Sequence, residues 1–197
     1  MTRAVLVIYV VGLVLAFGFR TLQHYRRTGR SGWVGVSRKT GRPARFGAIA
    51  FAGALVVGVG GVVLAASGAV APLVLSAWLG VLGVVIAVIG VLVVFASQSV
   101  MGDAWRIGVD PAERTGLVTR GVFRWARNPI FTGMIGTQVG VFLTVPSWLT
   151  GLALILLVAG IEVQVRGVEE PYLASAHGVQ YREYRARVGR FLPGIGH

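Results

Sequence analysis

Residues 71–96 read APLVLSAWLGVLGVVIAVIGVLVVFA, an apolar run without a single charged side chain. As a helix rising about 1.5 Å per residue, this run is long enough to cross a hydrocarbon core of about 30 Å. The composition of the whole chain agrees: of 197 residues, 55% are hydrophobic and 13% are charged. Soluble domains carry about 25% charged residues. The sequence therefore predicts an integral membrane protein.

Four more apolar stretches lie at residues 4–19, 46–66, 130–145 and 147–165. The second and fourth of these are long enough to span a bilayer as helices, whereas the first and third are shorter. We predict that the last two form a tight helical hairpin, with Ser147 as the N-cap of its second arm. The predicted fold is all-α: a polytopic membrane protein with about five transmembrane helices.

Small residues recur at every fourth position within two of the apolar stretches. This spacing lets helix backbones approach closely in lipid, either within one chain or across a dimer, and the oligomeric state stays open. The residues concerned are Ala50, Ala54, Gly58, Gly83 and Ala87.

The formal net charge is +12, which in a soluble chain would point to a nucleic-acid partner. Here the basic residues concentrate in segments 20–45 and 97–129 and in the tail from Arg166, while connections 67–70 and 144–147 carry no charge. The positive-inside rule places these charged segments in the cytoplasm and the N-terminus outside. We therefore predict no nucleic-acid partner. Basic residues that are almost all arginine, with abundant Ala, Gly and Val, favour a bacterial plasma membrane.

Metal and thiol chemistry are not predicted. The chain has no cysteine, and its three histidines, His24, His177 and His197, are far apart in sequence. No ionisable residue lies in the middle of a predicted span, where an ion pathway would commonly need one.

Segment 99–131 combines turn residues with Trp105, Phe123 and Trp125. Aromatic and basic residues at a membrane face are typical of an interfacial belt. Within the segment, Asn128 is a candidate N-cap and Pro129 a candidate first residue of the next helix. A helix N-terminus here would also offer free N–H groups to a ligand, so a belt and a binding site are compatible.

The last apolar stretch ends in a group of charges. Glu162, Arg166 and either Glu169 or Glu170 are spaced to share one helical face and to pair, although a solvated helix end would look similar. Pro171 predicts a kink or a restart of the helix nearby. The residues that follow predict a cytoplasmic amphipathic helix, interrupted at Gly178, that lies on the bilayer or caps the bundle.

Taken together, residues 97–193 resemble the isoprenylcysteine carboxyl methyltransferases and their bacterial and phospholipid-methylating relatives. The resemblance implies an S-adenosylmethionine site at the cytosolic membrane surface, within a methyltransferase-like region at 97–197. A three-helix membrane region at 1–96 would precede it and help to form the acceptor pocket. The motifs concerned are 117–123 (LVTRGVF), 127–133 (RNPIFTG), Arg166 with Glu169 and Glu170, and 181–184 (YREY) with Pro193.

The resemblance also implies which residues bind the cofactor. One position departs from the family pattern, which has Arg-His-Pro followed by Tyr, because this chain has Asn128 and Phe131 there. Asparagine can form hydrogen bonds but cannot act as a base at neutral pH. The cofactor-binding residues implied are Val118, Gly121, Phe123, Arg127, Asn128, Pro129, Phe131, Glu170 and Tyr181.

Methyl transfer from a sulfonium is an in-line displacement, so the site must align two molecules and exclude water. A carboxylate acceptor needs no base, and an arginine can hold it: Arg166 is our first choice and Arg127 the second. The resemblance implies that the paired acids, Glu169 and Glu170, orient Arg166 or hold the cofactor's amino group. An amine or hydroxyl acceptor would require Glu169 to accept a proton. We expect a hydrophobic acceptor such as a lipid, an isoprenoid acid or a prenyl-cysteine.

Two other functions compete with this one. Membrane reductases of the sterol-reductase type look similar in this half of the chain and bind NADPH there. The second is a non-catalytic membrane scaffold that has lost its activity. The presence of Asn128 in place of the family's histidine would be a sign of that loss. Cofactor binding distinguishes the three possibilities.

Overall fold

The computed structural model describes residues 1–33, 41–73, 76–108 and 116–196, so parts of the charged segments at 34–40 and 109–115 lie outside it. The described residues are almost entirely helical, with three isolated β-bridges. The prediction of an all-α protein is confirmed. Its helices are α1 (Thr2–Thr28, including a π-helical segment Val14–Phe19), α2 (Arg42–Ala66), α3 (Ala77–Met101), α4 (Pro129–Thr144), α5 (Trp148–Gln164) and α6 (Glu170–Arg187).

Among the described residues, four helices are long and apolar enough to cross a membrane: α1, α2, α3 and the continuous helix formed by α5 and α6. With the shorter apolar α4, this agrees with the predicted number of about five. The first helix is longer than the predicted apolar stretch at 4–19, because α1 continues through the basic residues to Thr28. Arg20 and His24 are buried there, and Arg20 donates to the carbonyl of Gly102 and lies over the ring of Trp105.

The small-residue positions mark where helices cross within the chain. Helix α4 packs mainly on α3, and α5 packs mainly on α2. A Cβ added to Gly90 of α3 would lie 2.6 Å from the carbonyl oxygen of Gly133 in α4, so the two backbones are in direct contact. Ala50, Ala54, Gly58, Gly83 and Ala87 are all buried.

We expect Gly90→Ala to destabilise the protein by about 1–3 kcal/mol, because the added methyl group must push two helix backbones apart. Gly53→Ala in α2 is the matched control, since a Cβ there meets no atom within 4 Å. Thermal unfolding in detergent measures both variants. Equal melting temperatures for Gly90→Ala and Gly53→Ala would contradict the close α3–α4 contact.

The hairpin between α4 and α5 is confirmed, and so is Ser147 as the N-cap of α5. The hydroxyl of Ser147 accepts from the backbone N–H of Thr150 at 3.3 Å, and the Thr150 hydroxyl accepts from the backbone N–H of Ser147 at 3.0 Å. This reciprocal capping box satisfies two backbone donors at a buried turn.

At the junction between α5 and α6, the prediction is a kink or a restart of the helix near Pro171. The chain stays helical through Pro171 and does not restart, because a π-helical segment, Val165–Glu169, precedes the proline. A wider helical turn accommodates a residue that lacks a backbone donor. The predicted interruption at Gly178 is present, with φ 52° and ψ −117°. Beyond it, the Tyr184 hydroxyl donates to the carbonyl of Phe123 at 2.6 Å, which fastens α6 over the end of the bundle.

Candidate functional site

A cavity of about 470 Å³ opens at the charged end of the bundle. Its volume falls within the range of about 300–1,000 Å³ that is typical of small-molecule sites. The lining comes from both halves of the sequence: from α1 and α2, from the end of α3 with the segments that follow it, and from α4 and α6. We distinguish an apolar part and a polar part by the side chains that line them.

The apolar part is formed by transmembrane helices. Phe17 of α1, Phe51 of α2 and Phe131 of α4 form a chain of edge-to-face contacts, with ring centroids 6.4 Å apart in each pair. Leu55 and Met134 continue the apolar lining along α2 and α4. This part of the cavity is therefore suited to hydrocarbon.

The polar part lies where segment 105–108, the π-helical segment and α6 meet. The Arg106 guanidinium lies 5.1 Å from the centre of the Tyr172 ring, a cation–π contact. Glu169 is half-buried, lines the cavity, and is close enough to Arg106 for the two charges to interact. Trp105 completes an aromatic and charged surface.

Beside this surface, Glu170 is held between two arginines. Its carboxylate accepts from Arg127 Nη2 at 2.8 Å, and from Arg190 Nε at 2.7 Å and Nη2 at 3.1 Å. The Arg127 side chain is only 2% exposed. Because Glu170 accepts its hydrogen bonds, the pKa of Arg190 is raised above its ordinary value. The three side chains form a buried ion-pair cluster that joins the start of α4 to α6 and to the C-terminal tail.

Backbone contacts hold the same three segments together. Arg127 also donates to the carbonyls of Arg185, Val188 and Gly196 at 2.7–3.0 Å. Asn128, the predicted N-cap, precedes α4, but its side chain caps no helical N–H. Its amide instead donates to the carbonyl of Arg190 at 3.2 Å, as does its backbone N–H at 3.0 Å. Asn128 thus anchors the tail and also lines the cavity.

Most of the predicted site residues lie on the cavity wall. Glu170 is not among the lining residues, and neither is Gly121, which begins a 3₁₀ turn at φ 60°. Arg166 also lies outside the lining; it pairs with Glu162 and its side chain is 60% exposed. The role predicted for Arg166 stays a prediction. The predicted residues that line the cavity are Val118, Phe123, Arg127, Asn128, Pro129, Phe131, Glu169 and Tyr181.

The chain is similar to known membrane methyltransferases. The model of the phospholipid methyltransferase family matches residues 78–180, more than half of the chain. The chain belongs to this family. It is also similar to Protein-S-isoprenylcysteine O-methyltransferase A of Arabidopsis thaliana, with 28% identity over 118 residues. That match covers 59% of this chain and 60% of the relative, so the chain spans somewhat less than two thirds of the relative's length.

The region matched to the phospholipid methyltransferase family begins at the start of α3 and ends inside α6. It therefore contains Trp105, Arg106, Glu169 and Tyr172, the residues of the polar part. Helices α1 and α2, which supply much of the apolar part, precede it. The family match thus covers the polar surface of the cavity, whereas the helices that complete its apolar wall lie outside the match.

Three residues at or beside the cavity were not predicted from the sequence as site residues: Tyr172, Arg106 and Arg190. Tyr172 follows Glu169 by three residues, and this helical spacing could have placed it on the same face. Arg106 adjoins Trp105 in segment 99–131, which was noted for its aromatic residues. This position could have indicated that Arg106 belongs to the site. Arg190 gave no local indication, because its partner Glu170 lies twenty residues earlier and the contact depends on the fold of the tail.

Proposed function

We propose that this protein transfers the methyl group of S-adenosylmethionine to a hydrophobic acceptor at the membrane. One observation carries the proposal: a single cavity combines a polar, aromatic surface with an apolar part between transmembrane helices. Membership of the phospholipid methyltransferase family supports it. Neither a water-soluble acceptor nor a simple scaffold requires such a cavity.

The polar part has groups that match S-adenosylmethionine. The Glu169 carboxylate would accept hydrogen bonds from the ammonium group of the cofactor, and the rings of Trp105, Phe123 and Tyr172 offer surfaces for its adenine. When bound, the cofactor supplies an electrophilic methyl group on sulfur. The cavity volume is adequate for a ligand of this size.

The residues of this chain align the two substrates and exclude water. The ion-pair cluster of Arg127, Glu170 and Arg190 fixes the start of α6, and so it positions Glu169 towards the cavity. For a carboxylate acceptor we propose Arg106 as the arginine that holds it, because Arg106 lines the polar part of the cavity, whereas Arg166 does not line the cavity. With an amine or hydroxyl acceptor, Glu169 would have to take up the proton.

A lipid, an isoprenoid acid or a prenyl-cysteine is the proposed acceptor class. The phenylalanines of α1, α2 and α4 support it, and so does the name of the Arabidopsis relative, which refers to isoprenylcysteine. We further propose a bacterial plasma membrane, with the N-terminus outside and the cavity at the cytoplasmic face. The distribution of basic residues supports this orientation.

The test is calorimetric titration of the detergent-purified protein with S-adenosylhomocysteine and, separately, with NADPH. We expect micromolar binding of the first and none of the second. Transfer of a labelled methyl group from S-adenosylmethionine to N-acetyl-S-farnesylcysteine or to extracted membrane lipids is the accompanying activity assay. Binding of NADPH alone would support a reductase, and binding of neither compound would support a scaffold; both results contradict the proposal.

A further inference from the structure

Two residues line the main cavity and also a second, smaller one. Leu55 of α2 and Met134 of α4 contribute to the cavity of about 470 Å³ and to a neighbouring cavity of about 30 Å³. They therefore form the partition between the two spaces. The other residues around the small cavity are mostly apolar, and its polar members are Tyr9 and Thr137.

The partition lies at the deep end of the main cavity. Helices α2 and α4 both begin at the charged end of the bundle, and the lining of α2 runs from Ala44 to Leu55. Eleven residues of helix correspond to about 16 Å of depth. Leu55 and Met134 are the last residues of their helices to touch the main cavity, and Thr137, one turn beyond Met134, touches only the small one.

The space beyond the partition suits hydrocarbon better than water. Its lining is mostly apolar, and the hydroxyl of Tyr9 is already engaged, since it donates to Gln138 Oε1 at 2.7 Å. A small apolar space of this kind offers a water molecule few hydrogen-bond partners. Apolar atoms entering from the main cavity would thus displace no ordered water. Methionine is an unbranched, flexible side chain that readily fills such an irregular gap.

We infer that Leu55 and Met134 form a floor that sets the length of the apolar chain an acceptor can insert. This inference rests on the proposed function, because it assigns the apolar part of the cavity to the acceptor. The polar end fixes the reacting group, and the floor lies at a set depth below it. A chain longer than this depth must bend back or leave carbon atoms outside the cavity.

The test uses N-acetyl-S-alkylcysteines with linear alkyl chains of increasing length. Binding to the purified protein is measured by thermal stabilisation, and methyl transfer is measured separately with labelled S-adenosylmethionine. Met134→Ala should move the preferred chain length upward by about two or three methylene groups. Each extra methylene buried in the added space should tighten binding about fourfold. Leu55→Ala should shift the preference in the same direction, and Met134→Phe in the opposite one.

Ile135→Ala is the matched control, because Ile135 adjoins Met134 but lines neither cavity. Ile135 packs instead against a buried apolar cluster formed by Ala54, Leu157, Ile161 and Val165. Its chain-length preference should equal that of the unaltered protein. If all variants transfer methyl groups and prefer the same alkyl-chain length, Leu55 and Met134 do not set that length, and the inference is wrong. The proposed function would not be contradicted by this result. A shifted binding preference without methyl transfer in any protein would support the floor and contradict the proposed function.

Discussion

Arg127→Met is expected to lower the free energy of unfolding by about 3–5 kcal/mol, the usual cost of removing one partner from a buried ion pair. The substitution keeps an apolar stem of similar length but removes every hydrogen bond that the guanidinium makes. Glu170 loses one of its two arginines, and the carbonyls of Arg185, Val188 and Gly196 lose their donor. Thermal unfolding in detergent, followed by circular dichroism, measures the loss.

Arg124→Met is the control for this experiment. Arg124 lies three residues earlier and is exposed, so its loss should change stability by less than about 0.5 kcal/mol. Had Arg127 only bound the cofactor, as the resemblance implied, its variant would unfold normally and bind S-adenosylhomocysteine weakly. The structure predicts that stability and binding fall together. An Arg127→Met protein as stable as Arg124→Met would disprove the structural role of the ion-pair cluster.

Glu169→Gln is expected to weaken binding of S-adenosylhomocysteine about 10- to 100-fold, with little change in thermal stability. A hydrogen bond to a charged group contributes about 1.5–3 kcal/mol, and glutamine keeps the size but not the charge of glutamate. Glu169 lines the cavity, so the lost interaction concerns the ligand rather than the packing of the bundle. Calorimetric titration of the variant gives the change in affinity directly.

Glu162→Gln is the matched control, because Glu162 lies on the same continuous helix but pairs with Arg166 outside the cavity lining. It should bind S-adenosylhomocysteine as the unaltered protein does. Together with Arg166→Met, these two variants also test the role predicted for Arg166. If Glu162→Gln and Arg166→Met abolish methyl transfer while Glu169→Gln does not, the acceptor is held by Arg166, as the sequence indicated.

Features that depend on neighbouring residues could be predicted from the sequence. The apolar runs gave the helices, Ser147 gave the start of α5, and Gly178 gave the break in α6. The extent of α1 could not be predicted in this way. Arg20 resembles a solvated flanking residue in sequence, and only its contacts with Gly102 and Trp105 explain why it is buried in a longer helix.

The sequence by itself determined that the protein is helical, crosses a membrane and concentrates its charged residues at one end of the bundle. Only the tertiary structure decided which of Glu169 and Glu170 lines the cavity. Adjacent helical residues point about 100° apart, and the π-helical segment, which ends at Glu169, changes that phase at this point. Glu169 therefore faces the cavity, while Glu170 meets Arg127 and Arg190, which lie far from it in the chain. Hydropathy and spacing carry no information on such long-range contacts, because the contacts form only when the tail folds back over α4.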